Sequence, residues 1–268
     1  MSRYKQMFKK LNKEICLVPF VTLGDPSIKL SLKIIDTLID NGANAIEVGI
    51  PFSDPIADGN IIQKANIRAL KNNINVQDCF NMLNIIRQKH HNIPIGILTY
   101  ANLIYNFGIQ NFFFKCEENY IDSILIADVP LEEYKNFMNK IIINNISVIF
   151  TCPVDSKKKL IKKIINFKPE YIYLLSRSGI TGIHQKINYN IIKKTILKIK
   201  KYTNIPILQG FGIYNENQIK KSIYNKCDGV ICGSVFVQII KKNISNDKLL
   251  LKKIKSKVKQ LKRSTYII

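Results

Sequence analysis

Residues 45–59 read AIEVGIPFSDPIADG, and this stretch sets the fold class. A short β-branched run, 45–50, stops at a Pro-containing turn ending in Asp58-Gly59, and an amphipathic stretch, 61–70, follows. A strand that gives way at a polar turn to a helix is the opening half of a βαβ unit. The same succession recurs outward in both directions. Runs at 17–22, 45–50, 95–100, 123–128, 148–151, 171–175, 206–209 and 229–232 read as strands. Helical signals separate them: Asp25-Pro26 as cap and first residue, Pro130 ahead of a helix over 131–143, Asn215 ahead of another, and Gly233-Ser234 opening the last. Alternation of this kind demands a parallel sheet with crossover helices. Repeated eight times within 268 residues, it predicts an α/β (β/α)8 TIM barrel, one domain over residues 1–268, with extra helices at 1–12, 76–90 and 246–262.

Composition narrows the function. Hydrophobic residues make up 46% of the chain, enough for a sizeable core. No apolar run approaches the ~20 residues that cross a bilayer, and the opening MSRYKQMFKKLNKEI has the pattern of an amphipathic helix, not a signal peptide. Six cysteines without a C-x-x-C pair point to reduced thiols and a cytoplasmic setting, with no membrane association expected. The net charge of +22 invites a nucleic-acid reading. Only five cations are Arg, however, whereas phosphate and base contacts favour the Arg fork. In SKKKLIKKIINF (156–167) the lysines alternate with an isoleucine and leucine stripe, as on the solvent face of a helix. Compositional bias is the simpler account, and no nucleic-acid partner is expected.

In such a barrel the chemistry lies at the C-terminal ends of the strands. Lys is absent from all the strand runs, which leaves no Schiff-base candidate. His90 and His91 precede the third strand and His184 stands alone in a loop, so three convergent metal ligands are not expected. Cys152 and Cys232 lie at strand ends without a neighbouring His and read as packing. Carboxylates remain: Glu47, Asp54, Asp58 and Asp128 fall at or just after strand ends. Along the second strand Ala45, Glu47 and Gly49 share one face, while Ile46, Val48 and Ile50 share the other and suit the layer beneath the helices. Glu47 therefore points into the barrel, where burial raises a carboxyl pKa towards neutrality. For Asp58 the spacing leaves helix N-cap and catalyst equally open.

Gly-rich turns supply an anchor for an anion. Gln209-Gly210-Phe211-Gly212 follows the seventh strand and Gly233-Ser234 the eighth, where barrels of this class cradle phosphate. After the sixth strand, RSGITG (177–182) opens a long connection to about residue 187 that reads either as a lid or as a passive surface loop.

The segments PFVTLGDPS (19–27), AIEVGIPFSDPIADG (45–59), PIGILTYANLIYNFGI (94–109), SILIADVPLEE (123–133), YLLSRSGITG (173–182), QGFGI (209–213) and GSVFVQII (233–240) together resemble the alpha subunit of tryptophan synthase. The resemblance spans nearly the whole chain. It implies reversible retro-aldol cleavage of indole-3-glycerol phosphate to indole and glyceraldehyde-3-phosphate, a lyase step of tryptophan biosynthesis. By the same resemblance Glu47 is the acid–base glutamate and Asp58 the aspartate that receives the indole N–H. Leu98, Tyr100, Leu125 and Tyr173 correspond to the indole pocket with Phe20 beside it. Gly182, Phe211, Gly212, Gly233 and Ser234 correspond to the phosphate site, and Thr181 to the threonine that closes towards Asp58. The implied partner is a beta subunit in an α2β2 complex, docking on the loops that carry Asp54 and Asn102. Pyridoxal phosphate then belongs to that partner, and no cofactor is expected here. Two departures stand out: Asn60 replaces the usual Pro after Asp-Gly, and TCPVD (151–155) varies a Pro-Pro stretch. A sugar-phosphate isomerase or epimerase barrel would share residues 210–212 and Gly233 without needing the Asp58 and Thr181 segments. A basic RNA-binding scaffold would bind nucleic acid without turnover.

Overall fold

The computed structural model describes residues 1–134, 146–176 and 188–267. Among these, strands and helices follow in the order α1 (Arg3–Lys10), β1 (Cys16–Thr22), α2 (Ile28–Asp40), β2 (Ile46–Gly49), α3 (Asn60–Leu70), α4 (Val76–Lys89), β3 (Ile95–Thr99), α5 (Ala101–Phe107), α6 (Ile109–Glu118) and β4 (Ser123–Ile126). After them come β5 (Ser147–Val148), β6 (Thr151–Cys152), α7 (Lys158–Asn166), β7 (Ile172–Leu175), α8 (Tyr189–Lys200), β8 (Ile207–Gly210), α9 (Glu216–Tyr224), β9 (Gly229–Cys232), α10 (Ser234–Lys242) and α11 (Asp247–Arg263). The strands form one sheet in the order β5-β4-β3-β2-β1-β9-β8-β7-β6, and every pairing is parallel. The ends of that order are neighbours in the chain, so the sheet closes through residues 147–152.

The fifth strand is where expectation and structure differ. It is broken into two short pieces because its first half pairs only with β4 and its second only with β7. Ile149 N–H still donates to Ile124 O (2.8 Å), and Phe150 O still accepts from Tyr173 N–H (3.3 Å), so the stagger of a closing barrel is absorbed within two residues.

Inward and outward faces separate as the alternation of the strands requires. Ile46, Val48 and Ile50 of the second strand join Leu17, Val21, Ile95, Ile97, Ile172 and Leu174 in the layer between sheet and helices. Ala45 joins Val18, Phe20, Leu125, Tyr171, Tyr173, Leu208 and Ile231 inside the barrel. α1 closes the N-terminal end by placing Tyr4 and Met7 in that inner cluster. Cys232 and Cys152 lie in the outer layer, the Cys152 thiol directed at Ser156 Oγ, so both pack as expected. All six cysteines are buried and unpaired.

The cap expected at Asp25, and the cap that spacing left open for Asp58, are not formed. α2 is capped by Ser27, whose hydroxyl accepts from Leu30 N–H; the buried Asp25 is instead gripped on both oxygens by Arg68 of α3, at 2.8 and 2.7 Å. α3 is capped by Gly59, with no side-chain cap bond, so Asp58 is free of that duty. Most of the helix expected over 131–143 lies outside the described residues. No helix among those described is long and apolar enough to cross a membrane.

Candidate active site

Glu47 sits in the middle of the sheet, in register with Phe20 of β1 and Gly96 of β3. The missing side chain at Gly96 matters. A Cβ there would lie 2.7 Å from Ser123 Oγ and 3.1 Å from Tyr4 Oη, so glycine makes room for the Tyr4–Ser123 hydrogen bond (2.9 Å) on the barrel floor. Glu47 is 3% exposed and has no cationic partner among the described residues. Burial pushes its pKa up to about 8, opposed by the Tyr171 hydroxyl and reinforced by the negative charge of Asp58.

Asp58 is held by the loop after β2. Its N–H donates to Pro55 O (3.0 Å) and its carbonyl accepts from Gln63 Nε2 (2.8 Å). The carboxylate accepts one hydrogen bond from the buried Asn66 Nδ2 at 3.2 Å. Burial raises its pKa to about 6, opposed by the nearby Tyr100 hydroxyl and by Asn66. The Tyr100 hydroxyl faces Asp58 outside normal hydrogen-bond geometry, while its ring stacks on Phe52 at 5.0 Å.

The expected pocket residues converge. Phe20, Leu125 and Tyr173 are buried together, with Leu98 and Phe211 packed against them. The Tyr173 and Phe211 rings meet edge-on at 5.9 Å. Three glycines make room for these rings. A Cβ on Gly49 would lie 2.8 Å from the Phe20 ring, one on Gly233 3.1 Å from it, and one on Gly210 inside the Tyr173 ring. Gly233 therefore serves packing as well as any ligand.

At the rim, Phe211 (φ 64°) and Gly212 (φ 88°) turn the chain through two successive left-handed residues after β8. Gly233 is the N-cap of α10, without a side-chain cap bond, and Ser234 is that helix's first residue. The first N–H groups of a helix have no partner within it, so they face the mouth of the barrel as donors. Thr181 and Gly182, with the whole 177–187 connection, lie outside the described residues.

The sequence reading overlooked two neighbours of the carboxylates. Tyr171, just ahead of β7, shares that strand's inward face with Tyr173, so alternation carries a signal for it. Asn66 carries none, because it meets Asp58 only when the loop folds back on α3.

The family model described as tryptophan synthase alpha chain matches residues 7–266. The chain belongs to that family. A tryptophan synthase alpha chain from Buchnera aphidicola subsp. Schlechtendalia chinensis is 52% identical over 272 residues, covering 100% of both chains. Among solved structures, the tryptophan synthase alpha chain of Legionella pneumophila superposes with a TM-score of 0.86 at 26% identity, over 99% of this chain and 97% of that one. A chain from the tryptophan synthase a2b2 complex of Pyrococcus furiosus superposes at 0.80 with 30% identity, over 94% and 99%. Alpha chains of this family cleave indole-3-glycerol phosphate in tryptophan biosynthesis, and this member is an aldol-type lyase built on a TIM barrel.

Proposed function

We propose that Glu47 and Asp58 are the catalytic pair of this alpha chain and work in opposite charge states. The observation that carries the proposal is that both carboxyls are buried with no cationic partner among the described residues, and this burial raises their pKa values to about 8 and about 6. At pH 7 Glu47 holds its proton and Asp58 is ionised. Glu47 donates that proton to indole C3, giving the indolenine, whose positively charged N–H is stabilised by the Asp58 carboxylate. The Glu47 carboxylate so formed takes the proton of the side-chain hydroxyl. The bond to C3 then breaks, its electrons restoring indole, and glyceraldehyde-3-phosphate departs with Glu47 protonated again. Phe20, Leu98, Tyr100, Leu125 and Tyr173 enclose the indole. Phe211, Gly212, Gly233 and Ser234 receive the phosphate; the roles that the resemblance implies for Thr181 and Gly182 fall outside the described residues.

The partner in this reading is a beta subunit in an α2β2 assembly, and pyridoxal phosphate resides there. Support comes from the Pyrococcus complex and from the rim, where Asp54 and Ile56 of the loop after β2 and Asn102 at the start of α5 are all exposed. The chain acts as one barrel domain in the cytoplasm, a setting that suits its six free thiols. One experiment tests the whole reading: indole release from indole-3-glycerol phosphate across pH, with and without the cognate beta subunit. Turnover should peak near pH 7, falling below about 6 as Asp58 takes up a proton and above about 8 as Glu47 loses one, and should rise on adding the partner. Flat turnover from pH 5 to 9 would remove the two carboxylates from the mechanism.

A further inference from the structure

The turn after β8 presents an electrostatic problem of its own. An anion bound there meets backbone N–H groups, but a peptide that offers its N–H to one side carries a carbonyl that must be turned elsewhere and given a donor. Two left-handed residues in succession, one of them Phe211, also cost conformational energy that some fixed contact must offset.

The solution lies behind the turn, on the first turn of α9. Gln218 is 8% exposed and commits its whole amide to this segment. Nε2 donates to Gly212 O at 2.6 Å, while Oε1 accepts from Tyr214 N–H at 2.8 Å and Asn215 N–H at 3.1 Å. A second buried layer does the same for the Gly210–Phe211 peptide: the Ser176 hydroxyl donates to Gly210 O at 2.6 Å and accepts from Gln209 Nε2 at 2.9 Å. Ser222 Oγ, 2.9 Å from Gln209 Oε1 and 3.0 Å from Gln218 O, joins the two layers. Both glycine carbonyls that flank Phe211 are thus taken up by buried donors.

We propose that Gln218 is a positioning residue of the anion site: by fixing the Gly212 carbonyl backwards, it keeps the turn's N–H groups aimed at the substrate phosphate. This rests on the reading that Phe211 and Gly212, with Gly233 and Ser234, receive that phosphate. Gln218 touches no substrate. It also forms the N3 half of the α9 capping box with Asn215, whose side chain accepts from Gln218 N–H at 3.0 Å, and this offers a built-in control. Asn215→Ala weakens the same helix start and leaves the Gly212 clamp in place. Gln218→Met keeps length and removes the clamp.

The test titrates glycerol 3-phosphate and indole, separately, into the full chain and both variants by calorimetry, and measures KM and kcat for indole-3-glycerol phosphate. Gln218→Met should lose about tenfold or more in glycerol 3-phosphate affinity and raise KM to match, with indole affinity and kcat within about threefold of the parent. Asn215→Ala should lower the melting temperature comparably and leave phosphate affinity unchanged. Equal phosphate losses in both variants, or equal losses for both ligands in Gln218→Met, would reduce Gln218 to helix support. The underlying reading has a separate check: if Gly233→Asp leaves glycerol 3-phosphate binding intact, the phosphate binds elsewhere and the proposal falls with it.

Discussion

Two buried carboxylates, one at the N-terminal end of the barrel and one in its interior, have opposite surroundings. Asp122, just before β4, accepts from Arg87 Nη2 at 2.9 Å, Arg3 Nη1 at 3.0 Å and Ile95 N–H at 2.8 Å. Arg87 extends the arrangement by donating to the carbonyls of His90, His91, Ile93 and Tyr120, so the loops at the N-terminal end are riveted together. Glu47, in the barrel interior, has apolar and phenolic neighbours and no cation among the described residues. A buried carboxylate supplied with cations fixes structure; one denied them is left able to exchange its proton near neutral pH. The contrast separates roles that residue type alone cannot separate.

The largest expected effect is on turnover. Glu47→Gln preserves size and removes proton exchange, so indole release should fall by ~10² to 10⁴-fold while indole still binds. Near-normal turnover by that variant would erase the functional side of the contrast. The structural side is broken at the other end: Arg87→Met strands Asp122 with Arg3 as its sole cation and should cost about 3 kcal/mol or more of folding stability, leaving kcat of the folded protein unchanged. A thermal melt beside a turnover assay at low temperature checks both halves.

The smallest effect is the sharpest. Native Glu47 keeps its proton up to about pH 8, whereas an unfolded glutamate releases it near 4.5. The native state therefore has its full share of this stability below about 4.5 and loses it as pH rises through 8, by on the order of a few kcal/mol. Glu47→Gln escapes that loss, so the variant's melting temperature relative to the parent should climb between pH 5 and pH 9. A difference that does not change with pH would mean that Glu47 is not desolvated in solution.

Much of this was legible in the sequence, for identifiable reasons. The inward aim of Glu47 follows from period-two alternation, because Ile46, Val48 and Ile50 leave only one face for the helices. The turns at 209–212 and 233–234 could be located because glycine at a strand end is a local signal. What could not be read depends on long-range partners. Asp25 looks like a helix cap until Arg68, 43 residues later, reaches it. The break in the fifth strand comes from barrel stagger, a property of the closed ring. The tie between Asp58 and Asn66 exists only once the loop after β2 has folded onto α3.

The three glycines facing aromatic rings have a genetic consequence. Every missense change in a glycine codon adds at least one carbon, and at Gly49, Gly210 and Gly233 that carbon falls against Phe20 or Tyr173. Gly210 lies closest of all, its added atom meeting the Tyr173 ring and hydroxyl within the inner cluster. A point mutation at any of the three codons thus reshapes the cavity from its wall inward, while the isoleucine layer beneath the helices, on the opposite face of the same strands, is left intact. Loss-of-function alleles with preserved folding are expected to concentrate at these codons, and sequencing inactive but soluble variants from a random library would show whether they do.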